Sequence, residues 1–167
     1  RGLEKALSIA LQQVEGAYSK VMLTRDKISA ARDPRGFRPL ALGKLNGGWV
    51  VASETCAFDL VGAEYIRDVE PGEIIIIDAQ GYRSLKPFPI MKHCHCICEL
   101  IYFARPDSQI FGQNGYLCRK RLGHELAREY RPDVDLVMPF PDSGNYAAIG
   151  YAEESGIPFE MGMIRNH

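Results

Sequence analysis

The chain has 167 residues, 46% of them hydrophobic and 25% charged, with a formal net charge of -1. That length accommodates one ordinary core or parts of two larger domains, and the near-neutral balance, without a Lys/Arg-rich run, excludes a protein that holds nucleic acid by neutralising phosphates. No apolar stretch nears the roughly 18 to 20 residues that span a bilayer, and Arg1-Gly2-Leu3-Glu4-Lys5 does not open like a signal peptide, so a soluble cytoplasmic protein with no membrane partner is expected.

Leu3, Leu7, Ala10, Leu11 and Val14 recur at helical spacing, which predicts an amphipathic first helix that Glu15-Gly16 ends. Short runs rich in β-formers follow at 17–24, 27–32, 40–45, 49–53 and 72–79, separated by turn residues such as Asp33-Pro34-Arg35-Gly36 and Asn46-Gly47-Gly48, and predict an antiparallel sheet. Ile74 to Ile77 is apolar at every position, so this strand is expected to be buried on both faces. Lys86-Pro87-Phe88-Pro89 breaks regular structure, and a boundary is placed there, giving domains 1–90 and 91–167. Beyond it the order changes to a charged helix over 113–130, a buried strand over 134–140, a helix over 145–155 and a strand over 159–164, which implies a parallel sheet.

Two stretches carry chemistry. Five cysteines is an odd count, and three of them crowd with two histidines into His93-Cys94-His95-Cys96-Ile97-Cys98; reduced thiols or metal ligands are the expected state. Ligands at every second residue suit a zinc site poorly, because zinc usually takes pairs from two separated turns. Asp135 to Phe140 runs into Pro141-Asp142-Ser143-Gly144, and a helix starts at Asn145. A strand, a short turn and a helix in that order expose backbone N–H groups at the positive end of the helix dipole, where phosphates bind well. An ordinary helix cap at Ser143 or Asn145 would read the same on spacing alone.

Longer runs carry a resemblance. Cys96 through Glu99, Ile101-Tyr-Phe-Ala-Arg-Pro-Asp-Ser108, Arg119-Lys-Arg-Leu-Gly123, Pro141-Asp-Ser143, Ser155-Gly-Ile-Pro-Phe-Glu160 and Ile164-Arg-Asn166 resemble the amidophosphoribosyltransferase family. The first half agrees through Arg32-Asp-Pro34, Arg38-Pro-Leu40, Val51-Ala-Ser-Glu54 and Arg67-Asp-Val-Glu-Pro-Gly-Glu73. Cys98, Gly115, Leu117 and Cys118 depart from the family pattern.

The resemblance implies a mixed α/β and α+β chain: the back half of an N-terminal-nucleophile glutaminase sandwich, layered α/β/β/α, over 1–90, and the front half of a phosphoribosyltransferase parallel-sheet domain over 91–167. It implies an enzyme of purine synthesis that makes 5-phosphoribosylamine from phosphoribosylpyrophosphate and ammonia released from glutamine. Such an enzyme is inhibited by purine nucleotides and assembles as a homo-oligomer. The glutaminase nucleophile is an N-terminal cysteine activated by its own amine. Residue 1 is Arg and Cys56 is internal, so no catalytic residue is expected here, and a fragment without either activity is the expectation. Pro141, Asp142, Ser143 and Gly144 match the pyrophosphate loop, Ser143 also matches a position of nucleotide regulation, and Arg165 with Asn166 matches a basic site near the phosphates. Mg2+ is expected with phosphoribosylpyrophosphate. Cys96 matches one ligand of a 4Fe-4S cluster that some members carry, its other ligands lying elsewhere. A non-catalytic truncated homologue keeping a nucleotide- or metal-binding surface is the alternative; a related glutaminase joined to a sugar-phosphate isomerase fits the Ala-Arg-Pro-Asp-Ser run less well.

Overall fold

A computed structural model describes residues 2–166. The chain divides into two compact units, one up to Cys96 and one from Ile97 onward. In the first, strands β1 (Ser19–Leu23), β2 (Ile28–Arg32), β3 (Ala41–Leu45), β4 (Gly48–Ala52), β5 (Glu64–Asp68), β6 (Ile74–Asp78) and β7 (Gly81–Leu85) form two antiparallel sheets, ordered β1-β2-β6-β7 and β4-β3-β5. Helix α1 (Leu3–Leu11) precedes them, and a short helix α2 (Cys56–Val61) lies between β4 and β5.

The four isoleucines explain the layering. Ile74 and Ile76 pack with Leu7 and Leu11 of α1, whereas Ile75 and Ile77, pointing the other way, pack with Leu40, Leu42 and Val69 from the second sheet and its margins. Alternate side chains leave a strand on opposite faces, so both faces of β6 are covered, as its unbroken apolar run requires. On the far side of the second sheet, Gly43 meets Phe58 of α2: a Cβ there would stand 3.0 Å from the ring. The order of layers is helix, sheet, sheet, helix. Cys56 is buried at the start of α2.

Polar groups fix the loops between these layers. Arg32, buried, donates to the carbonyls of Arg38, Val69 and Gly36, and the carboxylate of Asp33 accepts from the amides of Arg35 and Phe37. Asn46 and Gly47, both at positive φ, make the two-residue hairpin between β3 and β4 that an Asn-Gly pair favours. The segment 91–96, assigned from sequence to the second domain, is tied to the first unit: the amides of Cys94 and Cys96 donate to the carbonyls of Arg35 and Phe37 at 2.8 and 3.0 Å.

The second unit holds a π-helix (Glu99–Phe103), a two-residue hairpin of β8 (Gln109–Ile110) and β9 (Gln113–Asn114), and helices α3 (Gly115–Glu129) and α4 (Asn145–Ser155) packed on each other. Asn114 caps α3 by accepting from the Leu117 amide. The two expected strands differ from expectation: 134–140 and 159–164 meet in one parallel bridge, Val137 with Phe159, and Leu136, Phe140, Met161 and Ile164 are exposed. Each segment has a single strand neighbour among the described residues, too little to form a ladder or bury an apolar run.

Candidate functional site

Helix α4 follows directly on the turn that ends the Val137 bridge segment. Pro141 to Gly144 form that turn, with the Gly144 amide donating to Phe140 at 3.1 Å and the Asn145 amide to Asp142 at 3.2 Å. The Pro141–Asp142 peptide is cis. Gly144 is required by proximity, since a Cβ would stand 2.6 Å from the Phe140 carbonyl oxygen. The amides of Asp142 and Ser143 donate to no backbone carbonyl among the described residues. They lie at the N-terminal end of an 11-residue helix, where dipole and bare N–H groups both favour an anion.

The turn forms one wall of a cleft of about 610 Å³. Pro141, Asp142, Ser143 and Arg165 line it together with Tyr102 to Pro106 and Arg119. Arg165 stands 3.7 Å from the carboxylate of Asp142, while Arg105 is held by both oxygens of Asp107 at 3.0 and 2.8 Å, keeping that carboxyl below its ordinary range. Tyr102 and Phe103 meet edge to face at the rim, as do Tyr116 and Tyr146 nearby. Cations, bare amides and aromatic edges converge on one opening, an arrangement suited to a phosphate-bearing ligand.

Not every candidate residue comes to this place. Gly144 closes the turn on the Phe140 carbonyl without lining the cleft, and Asn166, next to Arg165, is exposed and makes no hydrogen bond among the described residues. Cys96 belongs to the first unit, half-buried, and among the described residues no three His, Cys, Asp or Glu side chains converge on a metal position. One thiolate does not make a four-iron site, so the side chains present do not by themselves fit that cluster. Arg119 was invisible as a site residue because it reads as one of several charges on the helix over 113–130, and Arg105 because its cue lay only in a long family run.

No family model matches the chain. The amidophosphoribosyltransferase of Rhizobium etli is 52% identical over 163 residues, which is 95% of this chain and 33% of that protein. The chain is homologous to amidophosphoribosyltransferases. The amidophosphoribosyltransferases of Mycobacterium bovis and Bacillus subtilis are 47% and 46% identical over 164 residues, 98% of this chain in both cases and 31% and 34% of those proteins. A solved structure of glutamine phosphoribosylpyrophosphate amidotransferase from B. subtilis, complexed with ADP and GMP, superposes with a TM-score of 0.96 at 46% identity, covering 99% of this chain and 36% of that one. The chain thus spans about a third of the length of the amidophosphoribosyltransferases it matches, and its mixed α/β architecture is theirs.

Proposed function

We propose that the chain forms part of an enzyme that makes 5-phosphoribosylamine from phosphoribosylpyrophosphate and glutamine-derived ammonia in purine synthesis. The observation that carries this reading is the meeting of the 141–144 turn with Arg165 in one cleft, in a chain about half identical to enzymes of that name. Residues 1–90 serve as the C-terminal part of the glutaminase domain and 91–167 as the N-terminal part of the phosphoribosyltransferase domain. The layering of helix, sheet, sheet and helix in the first unit supports the former assignment, and the parallel bridge beside α4 supports the latter.

In this reading the amides of Asp142 and Ser143, the Ser143 hydroxyl and Arg165 receive the diphosphate. Negative charge grows on that group as it leaves the sugar, and donors already aimed at it favour the transition state over the ground state. Mg2+ accompanies the diphosphate and neutralises part of its charge. Purine nucleotides, whose phosphates present the same chemistry, inhibit by competing for these donors; the B. subtilis relative solved with ADP and GMP supports this. Cys96 contributes at most one thiolate to a cluster completed elsewhere. Cytoplasmic residence and homo-oligomeric assembly belong to the same proposal.

The test is a chimera in which this chain replaces the matching segment of the R. etli relative. Pyrophosphate release dependent on both phosphoribosylpyrophosphate and glutamine is expected. A folded chimera that binds purine nucleotides but releases no pyrophosphate would favour a non-catalytic homologue instead.

A further inference from the structure

Arg119 is 4% exposed, yet it lines the cleft. Its Nε donates to the Leu100 carbonyl at 2.8 Å and its Nη2 to the Ala104 carbonyl at 2.7 Å. Leu100 lies within the π-helix and Ala104 caps its C-terminal end, and carbonyls at a helix end lack partners within the helix. One guanidinium therefore clamps the start of the 102–106 segment to α3. Nη1 makes no hydrogen bond and no carboxylate pairs with the guanidinium among the described residues.

The cleft's other two arginines differ in this respect. Arg105 is neutralised by Asp107 and Arg165 leans on Asp142, so Arg119 supplies the cleft's unmatched positive charge. A buried cation that faces only carbonyl dipoles is costly to keep without a counter-charge. An anion seated against the 141–144 turn would provide one, and a guanidinium already fixed by two bonds would meet it without losing further side-chain freedom.

We propose that Arg119 is a binding residue for the diphosphate, offering Nη1 to it in the cleft that Ser143 also lines, while holding the 102–106 segment in place through Leu100 and Ala104. The inference rests on the phosphate-site reading above. Its first test needs no substitution: nitrogen-detected NMR of the chain during titration with inorganic pyrophosphate. The Arg119 side-chain resonances and the Ser143 amide are expected to shift along one binding curve. A Ser143 shift with Arg119 unmoved would overturn this inference alone, whereas a Ser143 amide that does not respond would overturn the phosphate-site reading and the inference with it.

The second test compares variants. Arg119→Gln is expected to weaken pyrophosphate binding about tenfold and to flatten its salt dependence. Arg119→Lys, which keeps the charge but cannot bridge both carbonyls, should restore the salt dependence without the full affinity. A folded R119Q chain with unchanged affinity and salt slope would reduce Arg119 to a structural clamp and sink the proposal.

Discussion

Gly123 and Gly150 lie where the backbones of α3 and α4 touch. A Cβ on Gly123 would stand 1.9 Å from the Ala147 carbonyl oxygen, and one on Gly150 would stand 2.0 Å from the Lys120 carbonyl oxygen. Each opposing atom is backbone, so neither clash can be relieved by turning a side chain. Gly123→Ala or Gly150→Ala should therefore destabilise the second unit by about 3 kcal/mol or more, despite the higher helix propensity of alanine. Urea denaturation followed by circular dichroism would read this, and an unchanged midpoint would contradict the close crossing.

Gly144 supports a separate prediction. Its substitution by alanine pushes a methyl toward the Phe140 carbonyl and so displaces the turn that presents the Asp142 and Ser143 amides. Pyrophosphate affinity should fall at least about tenfold, while the first unit, which contains none of these atoms, unfolds as before. Titration calorimetry together with thermal melting would separate the two effects.

Glu73 is 1% exposed and receives both arms of the Arg67 guanidinium at 2.8 and 2.7 Å, with the Glu70 amide at 2.7 Å. Burial alone would raise its carboxyl; bonds from Arg67, Ser84 and Glu70 outweigh burial and hold it below the ordinary glutamate value. With the folded value depressed, the stabilisation is full above the unfolded glutamate range and disappears as pH falls through the lowered value. Glu73→Gln should cost about 3 kcal/mol near neutrality, because it leaves Arg67 facing a neutral amide, and should flatten the acid limb of the stability curve. A wild-type acid limb retained in the variant would show that other carboxylates dominate.

Asn114 accepts from the Leu117 amide at 3.0 Å and so caps the start of α3. Asn114→Ala should cost about 1 kcal/mol, seen as faster hydrogen exchange in the first turn of α3. Equal exchange rates in the two proteins would mean that the β8–β9 hairpin, not the cap, fixes the helix start.

Much of this architecture could be read from residue patterns. The stripe through Leu7 and Leu11, the Ile74–Ile77 run, the charged helix that becomes α3 and the turn–helix around Ser143 all carry local periodicity or turn chemistry, and each forms close to where it is expected. What escaped depends on partners distant in sequence. Helix α2 is six residues long, too short for periodicity to register, and is held by Phe58 against Gly43. The 134–140 run is apolar enough to look buried, yet pattern alone cannot say whether a neighbouring strand exists to bury it. Arg119 looks like a surface charge until the π-helix carbonyls are seen at its tip.

The Ile74–Ile77 run has a consequence for how the chain finds its fold. Sliding β6 by one residue would swap which isoleucines face α1 and which face the second sheet, and three of the four core positions would hold isoleucine again, the fourth taking Glu73 or Asp78. The four isoleucines by themselves therefore discriminate weakly between registers. That information must reside at its ends, where Glu73 is tied to Arg67 on one side and Asp78 meets Gly81 across a tight reversal on the other, so loss of either anchor opens the way to a shifted but still greasy sheet.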